Sequence, residues 1–119
     1  MRILITDDSM VVRRSIQRFL TEGRVTTIDQ ARNGLEAVAL YKQYRHGAIT
    51  LDITMPEMDG IETVTEIRKI DTTARILIVS ALADKSTAIE AIKRGASGFI
   101  CKPFSQMDLV EAFEELITD

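Results

Sequence analysis

The sequence carries one cysteine, Cys101, one histidine, His46, and no tryptophan. A lone cysteine excludes an internal disulfide and fits a reducing compartment. No apolar stretch approaches the length of a membrane span. The run after Met1-Arg2 is too short for the hydrophobic region of a secretory signal and meets acid straight afterwards. Fifteen Lys and Arg stand against 18 Asp and Glu, for a net charge of −3, and the basic residues are dispersed. That argues against nucleic acid as a partner, because phosphate-backbone binding needs a clustered basic face. There is no G-x-x-x-x-G-K-[ST] loop, so direct use of a nucleotide is not expected. Linkers, repeats and low-complexity stretches are absent too. What remains is 119 residues, 45% hydrophobic, read as one domain over 1–119 that buries one core without staples. A cytoplasmic monomer is expected.

Strand and helix patterns alternate five times. Ile3-Leu4-Ile5-Thr6 predicts a first strand, and Val12, Ile16, Phe19 and Leu20 recur at helical spacing before a stop at Gly23. Val25-Thr26-Thr27-Ile28 alternates apolar and polar, which places a half-exposed strand at a sheet edge. Asn33-Gly34 reads as a turn, with Ala37, Leu40, Tyr41 and Tyr44 marking the second helix. The third strand, Ala48 to Leu51, and the fourth, Ile76 to Val79, are apolar on both faces, as central parallel strands are. Met55-Pro56-Glu57-Met58-Asp59-Gly60 reads as a loop, and Ile61, Val64 and Ile67 face inward from a third helix. Ile89 and Ile92 are expected to line a fourth helix closing at Gly95. Phe99-Ile100-Cys101 is the fifth strand. Ser105 and Asp108 suit a capping box before Leu109, Phe113, Leu116 and Ile117. Right-handed crossovers give an α/β doubly wound, five-stranded parallel sheet with helices on both faces. The economical order is 2-1-3-4-5, a flavodoxin-like arrangement.

Four of these strands run into polar chemistry: Asp7-Asp8, Asp52, Ser80, and Lys102-Pro103. In a parallel sheet all of them lie along the carboxyl edge, where open α/β sheets bind ligands. Three carboxylates, a hydroxyl and a lysine converging there make a site for a divalent cation and a phosphoryl group. Three acids offset by one lysine repel one another, and a hard cation such as Mg²⁺, which prefers oxygen ligands, resolves the repulsion. Each residue also has a plainer reading. Asp7-Asp8 can cap a helix, Asp52 can be a loop carboxylate, Ser80 an ordinary turn serine, and Lys102 a solvated strand end.

Taken together, Asp7-Asp8, Leu51-Asp52-Ile53-Thr54-Met55-Pro56-Glu57-Met58-Asp59-Gly60, Ser80-Ala81 and Lys102-Pro103-Phe104 resemble the receiver domain of two-component response regulators. The resemblance covers the whole chain and is strongest to single-domain regulators of the chemotaxis CheY type. The strand order is part of that resemblance as well as of the hydropathy pattern. It implies that Asp52 accepts a phosphoryl group from a partner's phosphohistidine, a covalent route open to carboxylates. It implies Mg²⁺ ligated by Asp8, Asp52 and the backbone carbonyl of Thr54, with Asp7 supporting through water. Ser80 and Lys102 would bind the phosphoryl oxygens, and Ser80 with Phe99 would act as the switch. Lys102-Pro103 is often cis in the family. Thr54 and Leu82 occupy positions that tune phosphate lifetime, and a leucine at 82 implies slow self-hydrolysis.

The implied partners are a sensor histidine kinase or histidine phosphotransfer protein, and an output protein such as the flagellar motor switch, read at the fourth helix, fifth strand and fifth helix. A phosphorelay shuttle, a receiver of a longer regulator and a phosphorylation-independent binding module are the alternatives. A haloacid dehalogenase phosphatase would need an acid where Thr54 stands. A flavodoxin-like carrier would need a non-acidic phosphate loop and aromatics over a flavin, whereas both tyrosines fall in the second helix. The chain is expected to be a switch rather than a metabolic enzyme. His46 is expected at the surface at the opposite end of the sheet, and Cys101 in the core.

Overall fold

The computed structural model describes residues 1–21, 24–53, 58–81 and 85–118, with Lys85 described by its backbone alone. These form β1 (Arg2–Thr6), α1 (Met10–Leu20), β2 (Thr27–Ala31), α2 (Gly34–Tyr44), β3 (Ala48–Asp52), α3 (Gly60–Ile70), β4 (Ile76–Ala81), α4 (Lys85–Lys93), β5 (Gly98–Lys102) and α5 (Gln106–Ile117). The strands pair in parallel in the order β2-β1-β3-β4-β5, as the aliphatic runs predict. Every residue of β3 is buried. Alternate side chains divide the core in two. Leu4, Ile49, Leu51, Ile76 and Ile78 pack under α2, α3 and α4, while Ile3, Ile5, Ala48 and Leu77 pack under α1 and α5. Four helix starts are fixed by side chains that satisfy orphan backbone donors, that of α1 by Ser9. Asn33 Oδ1 accepts from Glu36 N, Asp59 Oδ1 accepts from Glu62 N, and Ser105 and Asp108 form the expected capping box.

Several expectations need correcting. β2 runs two to three residues later than the alternation at 25–28 places it. Its polar Asp29 and Gln30 are held by ion pairing and hydrogen bonding, which hydropathy does not register. Val25 instead packs beside α1 and α5. On α4 the inner face is Ala88 and Ala91, both fully buried, while Ile89 and Ile92 stay partly exposed. Small residues let this helix sit close to the sheet. Cys101 is half-buried, because β5 is an outermost strand whose residues all keep partial exposure. His46 does lie at the opposite end of the sheet, but it is buried. Its Nε2 sits 2.7 Å from Asp29 Oδ2, and its ring stacks on Tyr41. Burial lowers the pKa of His46 despite the neighbouring carboxylate, so the ring is favoured neutral. Asp29 is also gripped by Arg2 at 2.6 and 3.1 Å, and that bond, with His46, holds its pKa low. Asn33, read as a turn residue, is the α2 cap, and Tyr44 turns outward beneath the Arg2 guanidinium. Gly23, the expected stop of the first helix, and 55–57 of the expected loop lie outside the described residues.

Asp71, which follows α3, gives a pH-dependent test of this packing. Its carboxylate accepts from Thr73 Oγ1 at 2.6 Å and Thr73 N at 2.8 Å, and from Tyr41 OH at 2.9 Å. The Thr73 side chain and backbone, then Tyr41, pull its pKa from 3.8 to about 2. Burial, and then the bond to Asp71, push Tyr41 up to about 12. The folded pKa is below the unfolded one, so the stabilising contribution is present above pH 3.8 and is lost as pH falls toward 2. The Asp71 carboxyl carbon, followed by NMR, should titrate near 2 in the wild type and closer to the ordinary value in Thr73→Ala. A wild-type midpoint at the ordinary value would mean that these hydrogen bonds do not persist in solution.

Candidate functional site

The carboxyl ends of β1, β3, β4 and β5 meet around one acidic cluster. Asp7 and Asp8 follow β1 at the point where the chain reverses into α1. Asp52 closes β3, Ser80 lies near the end of β4, and Lys102 closes β5. One carboxylate oxygen from each of Asp7, Asp8 and Asp52 lies within 4.8 Å of the others. Asp7 and Asp52 are 1% and 4% exposed, while Asp8 is exposed at the mouth. The strand order puts the cluster at the topological switch point between β1 and β3, the crevice where ligands enter this class of sheet.

Each acid is aimed by its surroundings. Asp7 N donates to Ala31 O at 3.1 Å, so the chain leaves β1 still tied to β2. Asp7 Oδ1 accepts from Ser9 N at 2.9 Å, and Asp7 Oδ2 accepts from Lys102 Nζ at 2.9 Å. Ser9 caps α1, accepting from Val12 N. Lys102 Nζ also lies 3.6 Å from Asp52 Oδ1. Burial opposes the Lys102 charge, but the hydrogen bond to Asp7 and the fields of Asp7 and Asp52 outweigh it and raise its pKa above the usual lysine value. The Lys102-Pro103 bond is cis. Ser80 is fully buried, and among the described residues its Oγ has no hydrogen-bond partner. Such an atom costs free energy unless an acceptor or donor reaches it.

Asp7, Asp8, Asp52 and Lys102 therefore meet in one cluster with Ser80 on the adjoining strand end, and Phe99 stands apart. Phe99 lies on β5, half-buried, packed against the cluster under α4, with Ile78 as its register partner. Thr54 and Leu82 lie outside the described residues. Sequence reasoning missed Arg13, which is only 8% exposed and donates from Nη1 to Asp7 O at 2.8 Å. A signal was available: Arg13, Ile16 and Leu20 fall on the buried stripe of α1, so a charge occupies an apolar register position.

The acids suit a divalent cation. Two or three carboxylates at one spot, with one lysine beside them, leave excess negative charge, and all the side-chain donors are the hard oxygens that Mg²⁺ takes. The arrangement defines a doubly wound α/β domain with an acidic cation-type pocket at its switch point. The response regulator receiver domain model matches residues 3–114, and the chain belongs to that family of signalling switches. It is 43% identical to the chemotaxis protein CheY of Thermotoga maritima over 97% of this chain and 96% of that protein. It is 42% identical to CheY of Bacillus subtilis over 98% and 97%. Among solved structures it resembles a chain of the CheX–CheY–BeF₃–Mg²⁺ complex from Borrelia burgdorferi, with TM-score 0.93 and 32% identity, over all of this chain and 90% of that one. Among the described residues no helix is long and apolar enough to cross a membrane.

Proposed function

We propose that the chain is the phosphoryl-accepting switch of a chemotaxis-type two-component system, working in the cytoplasm as a monomer. The observation that carries this is the buried Asp52 carboxylate, 3.6 Å from Lys102 Nζ and beside Asp7 and Asp8, with a fully buried Ser80 Oγ on the neighbouring strand that has no partner among the described residues. Asp7, Asp8 and Asp52, with the Thr54 carbonyl, would hold Mg²⁺. When bound, Mg²⁺ supplies positive charge against the oxygens of the transferring phosphoryl group. An Asp52 carboxylate oxygen attacks the phosphorus of a phosphohistidine on a kinase or phosphotransfer protein. The N–P bond breaks and the partner's imidazole nitrogen leaves with the electron pair. His46, buried at the far end of the sheet, is no candidate donor.

Lys102 orients the Asp52 oxygen before transfer and pairs with a phosphoryl oxygen afterwards. The product adds about −2 charge at the sheet edge. Ser80 Oγ then gains the acceptor it lacks, a bond to a charged group worth roughly 1.5–3 kcal/mol. That free energy biases the end of β4 toward a position in which Phe99 moves inward, altering the face made by α4, β5 and α5. An output protein such as the flagellar motor switch reads that face. The CheY names of the relatives and the Mg²⁺ and BeF₃ of the Borrelia complex support this reading.

Intact-protein mass after incubation with acetyl phosphate tests it. The wild type should gain one phosphoryl adduct that requires Mg²⁺ and is absent with EDTA, and Asp52→Asn should gain none. An adduct on Asp52→Asn, or its persistence in EDTA, would move the acceptor away from this cluster.

A further inference from the structure

α1 carries a charge where helix physics disfavours one. Arg13 lies in the first turn, where the positive end of the macrodipole repels a cation, on the face that also buries Ile16 and Leu20. A buried arginine is normally paired with a carboxylate, yet among the described residues Arg13 makes no ion pair. Its hydrogen bonds go instead to neutral oxygens: Nη1 to the main-chain carbonyl of Asp7 at 2.8 Å, and Nε to Gln30 Oε1 at 3.0 Å. Gln30 is in turn bonded through Nε2 to Gln17 Oε1, so α1 and β2 hold the guanidinium between them.

We infer that Arg13 is a positioning residue for the acidic cluster, setting the affinity of the site for a divalent cation by fixing the Asp7–Asp8 peptide. The Asp7 carbonyl belongs to the peptide that carries Asp8, the exposed acid at the mouth. Ala31 O holds one side of Asp7, and Ser9 N and Lys102 hold its carboxylate. The Ser9 bond closes a turn over Asp8, and the Arg13 bond is the contact that holds the carbonyl oxygen of the Asp7–Asp8 peptide itself.

This inference rests on the reading of the cluster as the Mg²⁺ and phosphoryl site, and the experiment separates the two. Mg²⁺ affinity is measured by calorimetry on wild type, Arg13→Met, Arg13→Lys and Gln30→Ala, and acetyl phosphate labelling is followed against Mg²⁺ concentration. Supports of this kind typically change metal affinity about 10- to 100-fold, and Arg13→Met should lose affinity in that range. Its labelling rate at saturating Mg²⁺ should return close to wild type. Arg13→Lys, which keeps the charge without the fork, should fall between the two. Gln30 is exposed, so Gln30→Ala should fold normally and still bind Mg²⁺ several-fold more weakly. If Arg13→Met does not fold, Arg13→Lys and Gln30→Ala decide. Unchanged Mg²⁺ affinity in the folded variants, with only a lower melting temperature, overturns the positioning role. A wild type that binds no Mg²⁺ overturns the reading of the site itself.

Discussion

Lys102→Met should cost roughly 3 kcal/mol of stability in the absence of Mg²⁺, at the low end of what removing one partner of a buried ion pair costs, and should abolish labelling of Asp52. The lysine side chain is 26% exposed, whereas Asp7 is almost wholly buried. The larger part of the loss is therefore the uncompensated carboxylate left behind, not the pair's own attraction. Asp52, 3.6 Å from the same ammonium, loses its counter-charge together with Asp7. The pH dependence has a definite sign. The folded pKa of Lys102 lies above 10.5, so its contribution is fully present below the ordinary lysine value and fades as pH rises through the raised one. The gap between wild type and variant should be constant near neutrality and shrink only in strong alkali. Urea unfolding at several pH values measures it. Saturating Mg²⁺ binds the folded state alone, and it should narrow the gap because the variant, with no ammonium beside the acids, binds the cation more tightly than the wild type. An unchanged urea midpoint in the variant would mean that water already screens these acids and that the lysine serves only the phosphoryl group.

The parts of this site legible in the sequence were those in which a polar residue interrupts an aliphatic run. Ile3-Leu4-Ile5, Ala48-Ile49 and Ile76-Leu77-Ile78-Val79 announce buried strands, and the polar residues that close them, Asp7 beyond the buried Thr6, Asp52 beyond the buried Thr50, and Ser80, fall toward the carboxyl edge of the sheet. Backbone geometry then brings Asp7, Asp52, Ser80 and Lys102 together whatever else the chain does. The misread parts share a different physics. β2 was displaced because Asp29 looks like a solvent-facing residue until Arg2 and His46 are placed against it. His46 looked like a surface residue for the same reason. On α4, hydropathy ranks isoleucine inside alanine, but close approach to the sheet selects Ala88 and Ala91 and turns Ile89 and Ile92 outward. Periodicity counts apolar residues. It registers neither the size of the gap that a helix must fill nor an ion pair that makes a polar residue fit for burial.

Gly60→Ala should be destabilising by about 2 kcal/mol, against what helix propensity alone implies. At the first residue of α3, alanine gains up to about 1 kcal/mol in propensity over glycine and narrows the unfolded ensemble by a similar amount. Sterics reverse the sign. Gly60 N donates to Ile53 O at 2.7 Å, which draws the start of α3 against the end of β3. A Cβ there would lie 2.6 Å from Ile53 Cα, 2.9 Å from Asp52 O and 3.1 Å from Ile53 O. All three are backbone atoms and none can swing aside, so relief comes only by parting α3 from β3, at an overpacking cost of typically 1–3 kcal/mol or more. The strand end that must yield carries Asp52. A misplacement of about 1 Å can cost on the order of 10²-fold in rate, so acetyl phosphate labelling should slow far more than the stability loss implies. Gly98→Ala is the control: its Cβ meets only Leu77 Cδ1, at 3.7 Å, and both stability and labelling should stay near wild type. Denaturant midpoints and labelling rates for the two variants decide the matter. Equal behaviour would show that the junction of β3 and α3 gives way without moving Asp52, and that the carboxylate is held in place by Lys102 rather than by the backbone beneath it.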